Sequence, residues 1–291
     1  MGGVLLRACA KVNYALEVQG LRGDGYHEIS SVLQSVSLAD ELEIERSREG
    51  FELFFEPEGV EIGPLEENTV YKAWALLWEV SGHELPTRIR LHKKIPAGAG
   101  LGGGSADAAA VLVGMNELFG LGLDAKKLRT IGTRIGADVP FCLSGGTALA
   151  QGVGEILTPL PAPPTHRLLI AKPERGVDTG GIYRAYDERC TEGKASATPV
   201  VAALRSGSLT ELAGAVSNDL EPVTANLVPE VAAHKREMLR AGALGAAMTG
   251  TGTAVYGIFD TERGNPPAAE ASLRTPFLGV YEPVGAGVMM L

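Results

Sequence analysis

The stretch P-A-G-A-G-L-G-G-G-S-A-D-A-A-A, residues 96–110, carries five glycines in the seven positions 98–104 and a serine at 105, then runs straight into alanine-rich, helix-forming sequence. Clustered glycines between a strand and a helix suit an anion: backbone N–H groups converge on a phosphate, and the helix N-terminus adds the positive end of its dipole. Glycine lets the main chain come to contact distance at a cost of about 0.5–1 kcal/mol relative to alanine, and five of them exceed what a turn needs. The plainer alternative is a glycine-rich turn with tight helix packing. The G-K-S or G-K-T ending of a P-loop is absent from the chain. Gly98, Gly100 and Gly103 satisfy G-x-G-x-x-G, but Lys93 and Lys94 make the preceding strand amphipathic, and no acidic strand end follows at the distance a dinucleotide site requires.

Other residues offer chemistry alongside a bland alternative. Asp138 lies in G-A-D-V-P after a helix stop; Pro140 biases Val139 away from helical angles, which leaves the aspartate at a turn or as a helix cap. Ser105 reads equally as a cap. Lys11, on a strand, reads alone as a solvated side chain. Tyr26 and His27 follow Gly23-Asp24-Gly25, a turn that pushes both outward, although aromatics beside Asp-Gly turns are common on edge hairpins. Trp74 and Trp78, one helical turn apart, read as core. Cys9, Cys142 and Cys190 are odd in number and widely spaced, so buried free thiols are expected instead of a disulfide framework or zinc site.

These residues need a folded frame, and 291 residues suffice for two domains, each with its own core. Hydrophobic residues make up 45% and charged ones 21%, the balance of a folded soluble protein. No apolar run reaches the roughly 18 residues that span a bilayer, and M-G-G-V-L-L-R lacks the order of a signal peptide, so a cytoplasmic address is expected and no membrane partner. The net charge of -9 argues against nucleic acid. Alternation predicts strands over 5–18, 38–44, 51–55 and 88–95, and a strand and turn in G-G-T-A-L-A-Q-G-V-G. Helical spacing predicts helices over 68–80, from 108 to a stop at Gly120, and over 125–135. P-L-P-A-P-P-T-H (159–166), with four prolines in eight residues, is the best linker and places a domain boundary near 157. Beyond it, strand-like runs (168–171, 254–259) alternate with helical ones (200–204, 231–239), which predicts an α+β arrangement.

The glycine stretch resembles the second motif of the GHMP kinases, the small-molecule kinases grouped with galactokinase, homoserine kinase, mevalonate kinase and phosphomevalonate kinase. A-K-V-N (10–13) with Leu16 resembles their N-terminal motif, and M-T-G-T-G-T (248–253) their glycine-rich third motif. G-D-G-Y-H-E-I (23–29), the triple glycine, I-G-A-D-V-P-F (135–141) and Q-G-V-G-E (151–155) resemble one branch of that family, which phosphorylates the 2-hydroxyl of 4-diphosphocytidyl-2-C-methyl-D-erythritol in the non-mevalonate isoprenoid pathway. The likeness spans the chain and is strongest over 10–155 and 249–252. Ala106 stands where many members have a second serine, and Thr249 and Thr251 replace serines of the third motif.

The resemblance implies an α+β fold: an N-terminal nucleotide-binding domain (1–157) resembling ribosomal protein S5 domain 2, a ferredoxin-like C-terminal domain (158–291), and the site between them. It implies ATP and Mg2+, with the triphosphate cradled by Pro96, Ala97, Gly98, Ala99, Gly100, Leu101, Gly102, Gly103, Gly104 and Ser105, the metal beside Ser105, and Asn68 bordering the adenine. Phosphoryl transfer needs a donor cradle, a metal and a group that orients and deprotonates the acceptor. By family analogy that group is Asp138, with Lys11 next to it; a cation within about 4–6 Å favours an ionised carboxylate. The partner is a small-molecule cytidine diphosphate substrate: Asn13 near its methylerythritol hydroxyls, Tyr26 and Tyr183 stacking on its cytosine, His27 hydrogen-bonding to the base, and Thr179 nearby in D-T-G-G-I-Y-R. The nearest rival is a family kinase acting on homoserine or mevalonate, from which the Y-H pair after G-D-G separates it. A nicotinamide-dependent oxidoreductase and a non-catalytic nucleotide-binding module are the rivals from other classes.

Overall fold

In the computed structural model, which describes residues 2–57, 64–189, 193–261 and 273–291, the chain begins with two long antiparallel strands, β1 (Val4–Leu21) and β2 (His27–Arg46), joined at the Gly23-Asp24-Gly25 turn. Alternation predicts only 38–44 of β2. Its first half escapes the pattern because residues 30–36 are all buried, so apolar-polar alternation is erased there. β3 (Phe51–Glu56) runs parallel to β4 (Thr87–His92), which pairs with the far half of β2; β5 (Thr147–Gly152) pairs with its near half and hands on to β6 (Ile156–Pro159).

Helices α1 (Thr69–Ser81), α2 (Gly103–Phe119), α3 (Ala125–Thr133) and α4 (Val139–Ser144) lie in the same half of the chain. Asn68 caps α1 by accepting from the Val70 N–H at 2.9 Å. Trp74 on this helix is buried and donates its indole N–H to the Leu85 carbonyl. Trp78 corrects the core expectation, since it lies at the helix margin and is 42% exposed. α2 packs on β1 and β2 with a nearly all-apolar circumference, so its alanines and glycines let it approach the strands closely.

β7 (His166–Lys172), next in the chain, leads the second sheet, and the helices α5 (Thr179–Asp187), α6 (Ala197–Ser206) and α7 (Leu209–Ala215) follow it. The short β8 (Ser217–Asn218) returns to pair parallel with β1. After α8 (Glu221–Leu227) and α9 (Glu230–Arg240) come β9 (Gly245–Met248), β10 (Val255–Asp260) and β11 (Phe277–Tyr281), giving an antiparallel sheet in the order β11-β7-β10-β9. β12 (Val288–Met290) closes the chain by pairing with β1 in the first sheet. The architecture is α+β. Among the described residues no helix is long and apolar enough to cross a membrane. Cys9 and Cys142 are buried free thiols, with burial pushing both up in pKa; Cys190 lies outside the described residues.

Buried polar groups join the sheets. Tyr14 of β1 donates its hydroxyl to His166 Nε2 at 3.0 Å, and the ring's Nδ1–H donates to the Pro164 carbonyl at 2.7 Å. Burial, only partly offset by the Pro164 bond, lowers the His166 pKa, and burial does the same to His234 in α9. The unfolded rings, at about 6.5, take up protons before the folded ones do, so their contribution is complete above that pH and is lost as pH falls below it. Denaturant midpoints should therefore decline as pH falls below about 6.5, and replacing both histidines by glutamine should flatten that slope.

Candidate active site

Register shifts in the β1–β2 ladder fall between Cys9 and Lys11 and again between Asn13 and Ala15, bracketing the segment 11–13. Bulges re-aim side chains and redirect backbone groups. Here the Lys11 N–H bonds to the Leu101 carbonyl of the glycine loop at 2.9 Å, and the Asn13 N–H to Thr249 Oγ1 of the third motif at 3.1 Å. Lys11 is buried, donates from Nζ to Asn13 Oδ1 at 2.8 Å, and lies 3.6 Å from Asp138 Oδ2.

Asp138 occupies the N-cap position of α4 but makes no capping bond, so its carboxylate is left to Lys11 and the cavity. The expectation that Pro140 keeps Val139 out of a helix is corrected: Val139 and Pro140 form the first turn of α4, where proline's missing N–H is no loss. Ser105 needs a similar correction. α2 starts inside the glycine run with Gly102 as its cap, so Ser105 is the third helical residue and its hydroxyl is not a cap. No side chain caps α2, so its first N–H groups have no side-chain acceptor.

The glycines meet protein as well as cavity. Gly100, at φ +74°, leaves no room for a Cβ, which would land on the Thr249 carbonyl oxygen; at Gly102 a Cβ would lie 3.0 Å from Lys11 Cγ. The packing alternative thus holds at Gly100, where second and third motifs touch. A buried ion cluster fastens both ends of the loop. Asp40 accepts from the Lys94 and Ile95 N–H groups at 2.5 and 2.8 Å, and Lys93 Nζ lies between Asp40 and Asp107. Burial pushes the Asp107 carboxyl up, against the opposing pull of Lys93.

Asn13 is committed to protein. Its Oδ1 takes Lys11 Nζ and the Gly250 N–H (2.9 Å) and lies 3.0 Å from Thr249 Oγ1, while Nδ2 donates to Ser31 Oγ at 2.8 Å. It therefore ties the first motif to the third, and one amide hydrogen at most is left for a ligand. Tyr26, His27, Thr179 and Tyr183 line the same cavity, of about 400 Å³. Tyr26 is 65% exposed. Tyr183 stacks on His27, ring centroids 4.7 Å apart, so one face of Tyr183 is already covered. Burial, and then the charge of Asp138, push the Tyr183 hydroxyl up to about 12. Thr179 Oγ1 lies 3.2 Å from Thr251 Oγ1, linking α5 to the third motif.

The structure brings Lys11, Asn13, Tyr26, His27, Gly98, Gly100, Gly102, Ser105, Asp138, Thr179 and Tyr183 to one cavity. Asn68, Pro96, Ala97, Ala99, Leu101, Gly103 and Gly104 do not line it; Ala99 and Leu101 point into the core. Sequence reasoning missed Ser31, hidden in the unpredicted half of β2, and Asp187, whose one signal is its position four residues after Tyr183.

Residues 68–146 match the N-terminal domain of the GHMP kinases and residues 200–274 their C-terminal domain, so the chain belongs to the GHMP kinase family, whose members are small-molecule kinases. A 4-diphosphocytidyl-2-C-methyl-D-erythritol kinase of Pelotomaculum thermopropionicum is 45% identical over 252 residues, 86% of this chain and 87% of its own. The crystal structure of a 4-(cytidine 5'-diphospho)-2C-methyl-D-erythritol kinase superposes with a TM-score of 0.77 at 34% identity, over 97% of this chain and 100% of that one. A homoserine kinase from Cytophaga hutchinsonii, at 21% identity and a TM-score of 0.78 over 100% of this chain and 98% of that one, shares the fold.

Proposed function

We propose that this chain phosphorylates the 2-hydroxyl of 4-diphosphocytidyl-2-C-methyl-D-erythritol with ATP, giving the 2-phosphate and ADP. One observation carries the reading: a Lys11–Asp138 pair at 3.6 Å and the start of a helix with no side-chain cap, in a cavity that a group of aromatics also lines. Backbone N–H groups at the start of α2 hold the phosphates of ATP, Asp138 accepts the proton of the acceptor hydroxyl, and Lys11 offsets charge on the transferred group. Asn13 holds Lys11 in place and lends its remaining amide hydrogen to the acceptor. Asn68, beside α1, borders the adenine.

Mg2+ fits this donor set as an ion carried mainly by phosphate oxygens. No cluster of three metal-ligating side chains occurs among the described residues, and the Ser105 hydroxyl on the cavity wall is the sort of single ligand such an ion takes. Held there beside Ser105, the ion would supply positive charge that offsets the charge of the phosphates. The enzyme so read works in the cytoplasm on a small molecule, with neither nucleic acid nor membrane as partner, and divides near residue 157.

ADP release measured with the cytidine substrate, and with homoserine and mevalonate as controls, tests the reading; turnover of a control alone overturns it. Tyr26→Ala should raise the KM for the cytidine substrate by an amount equivalent to roughly 1–3 kcal/mol, the range for one base–aromatic stack, with ATP affinity preserved and phenylalanine restoring most of the loss. An unchanged KM places the base elsewhere.

A further inference from the structure

His27 is held from two directions by one helix. Tyr183 covers the ring face, with an interplanar angle of 24°, and Asp187, four residues on and so on the same side of α5, sets Oδ1 2.7 Å from His27 Nε2. Helix stability does not account for this aspartate. It is the last residue of α5, where a carboxylate faces the negative end of the helix dipole, and α5 already has an aspartate at its favourable end, Asp178, which caps the Gly181 N–H.

An ionised carboxylate only accepts hydrogen bonds, so the hydrogen sits on Nε2, and in the neutral ring Nδ1 is a bare acceptor. Nδ1 has no hydrogen-bond partner among the described residues. Nor is it sealed: the sealed side-chain atoms without a partner there are Ser35 Oγ, Asp107 Oδ1 and His234 Nδ1, and His27, though its side chain is only 8% exposed, lines the cavity.

We propose that Asp187 is a positioning residue that sets base specificity: by keeping the hydrogen on Nε2 it makes His27 Nδ1 an acceptor toward the pyrimidine, so the site selects an amino-bearing base over an oxo-bearing one. The proposal rests on the reading of the substrate as a cytidine diphosphate ester. The exocyclic amine of cytosine donates to Nδ1. The corresponding oxygen of uracil opposes one lone pair to another, leaving two desolvated acceptors without a donor, which is the arrangement that discriminates strongly. Tyr183 keeps the imidazole in the plane this contact requires.

The test is steady-state kinetics with the cytidine substrate and its uridine counterpart. Asp187→Ala should lower kcat/KM for the cytidine ester on the order of tenfold, through KM, while the uridine ester loses little and kcat and the KM for ATP hold. Asp187→Asn retains an acceptor oxygen and should keep more of the discrimination than alanine does. Because Asp187 acts through His27, the double variant His27→Ala/Asp187→Ala should match His27→Ala alone. Unaltered discrimination in Asp187→Ala, an equal loss on both esters together with a fall in kcat, or single losses that multiply in the double variant would each overturn the proposal. Failure of the wild-type chain to use the cytidine ester rejects the proposed function and this inference together, whereas normal wild-type turnover with an unaltered ratio in the alanine variant rejects the inference alone.

Discussion

Asp138→Asn should lower kcat about 10²–10⁴-fold, the usual span for loss of a general base, while the Kd for ATP barely moves. The substitution keeps the size and shape of the side chain. Because the carboxylate makes no capping bond, α4 loses no terminal contact and unfolding should be nearly unchanged. Asp138 is 36% exposed at its side chain whereas Lys11 is 5% exposed, so the pair has one partner facing the cavity and one supporting it from within. Lys11→Met should also depress kcat. The double variant should lose less than the product of the two single losses, since groups acting as a unit are non-additive. Near-normal kcat in Asp138→Asn would reduce the aspartate to an orienting group, and full multiplicativity would dissolve the pair.

The second large effect falls on stability. Gly100→Ala should cost about 2–5 kcal/mol, combining a left-handed backbone that disfavours a Cβ with displacement of the Thr249 carbonyl. Catalysis should fall with it, since Thr249 and Gly250 both bond to Asn13, which holds Lys11. Gly102→Ala provides the contrast. It carries the same left-handed strain at φ +73°, but its Cβ meets the flexible stem of Lys11 instead of backbone, so it should cost less stability than Gly100→Ala while still lowering kcat. A Gly100→Ala protein with wild-type midpoint and impaired ATP binding would return this glycine to the role of a phosphate contact.

The cavity's contiguous motifs are legible in the sequence because each carries its chemistry within a few residues: the glycine run, A-K-V-N, Y-H after the turn, and G-A-D-V-P. What escapes is whatever depends on distant partners. Asp40, Lys93 and Asp107 look like ordinary surface charges until the fold buries them against one another, and His27 and Asp187 are 160 positions apart. Local rules also mislead where two of them compete. Asp138 has the sequence of a cap and stands at the cap position, yet its side chain is turned to Lys11 of β1. The near half of β2 is lost for a different reason: strand periodicity depends on having one wet face, and this segment has none.

The outer edge of β1 is covered by β12 at Leu6–Ala8 and by β8 at Ala15 and Leu16, both supplied by the second half of the chain. During synthesis β1 is thus made well before the strands that complete its edge. Until residues 217–218 and 288–290 leave the ribosome, that strand presents unpaired N–H and C=O groups, the kind of edge to which foreign strands attach. A nascent chain halted at the proline-rich segment has made Lys11, the glycine loop and Asp138 without covering the edge beside them. Solubility during production therefore depends on elements far in sequence from the chemistry they shelter.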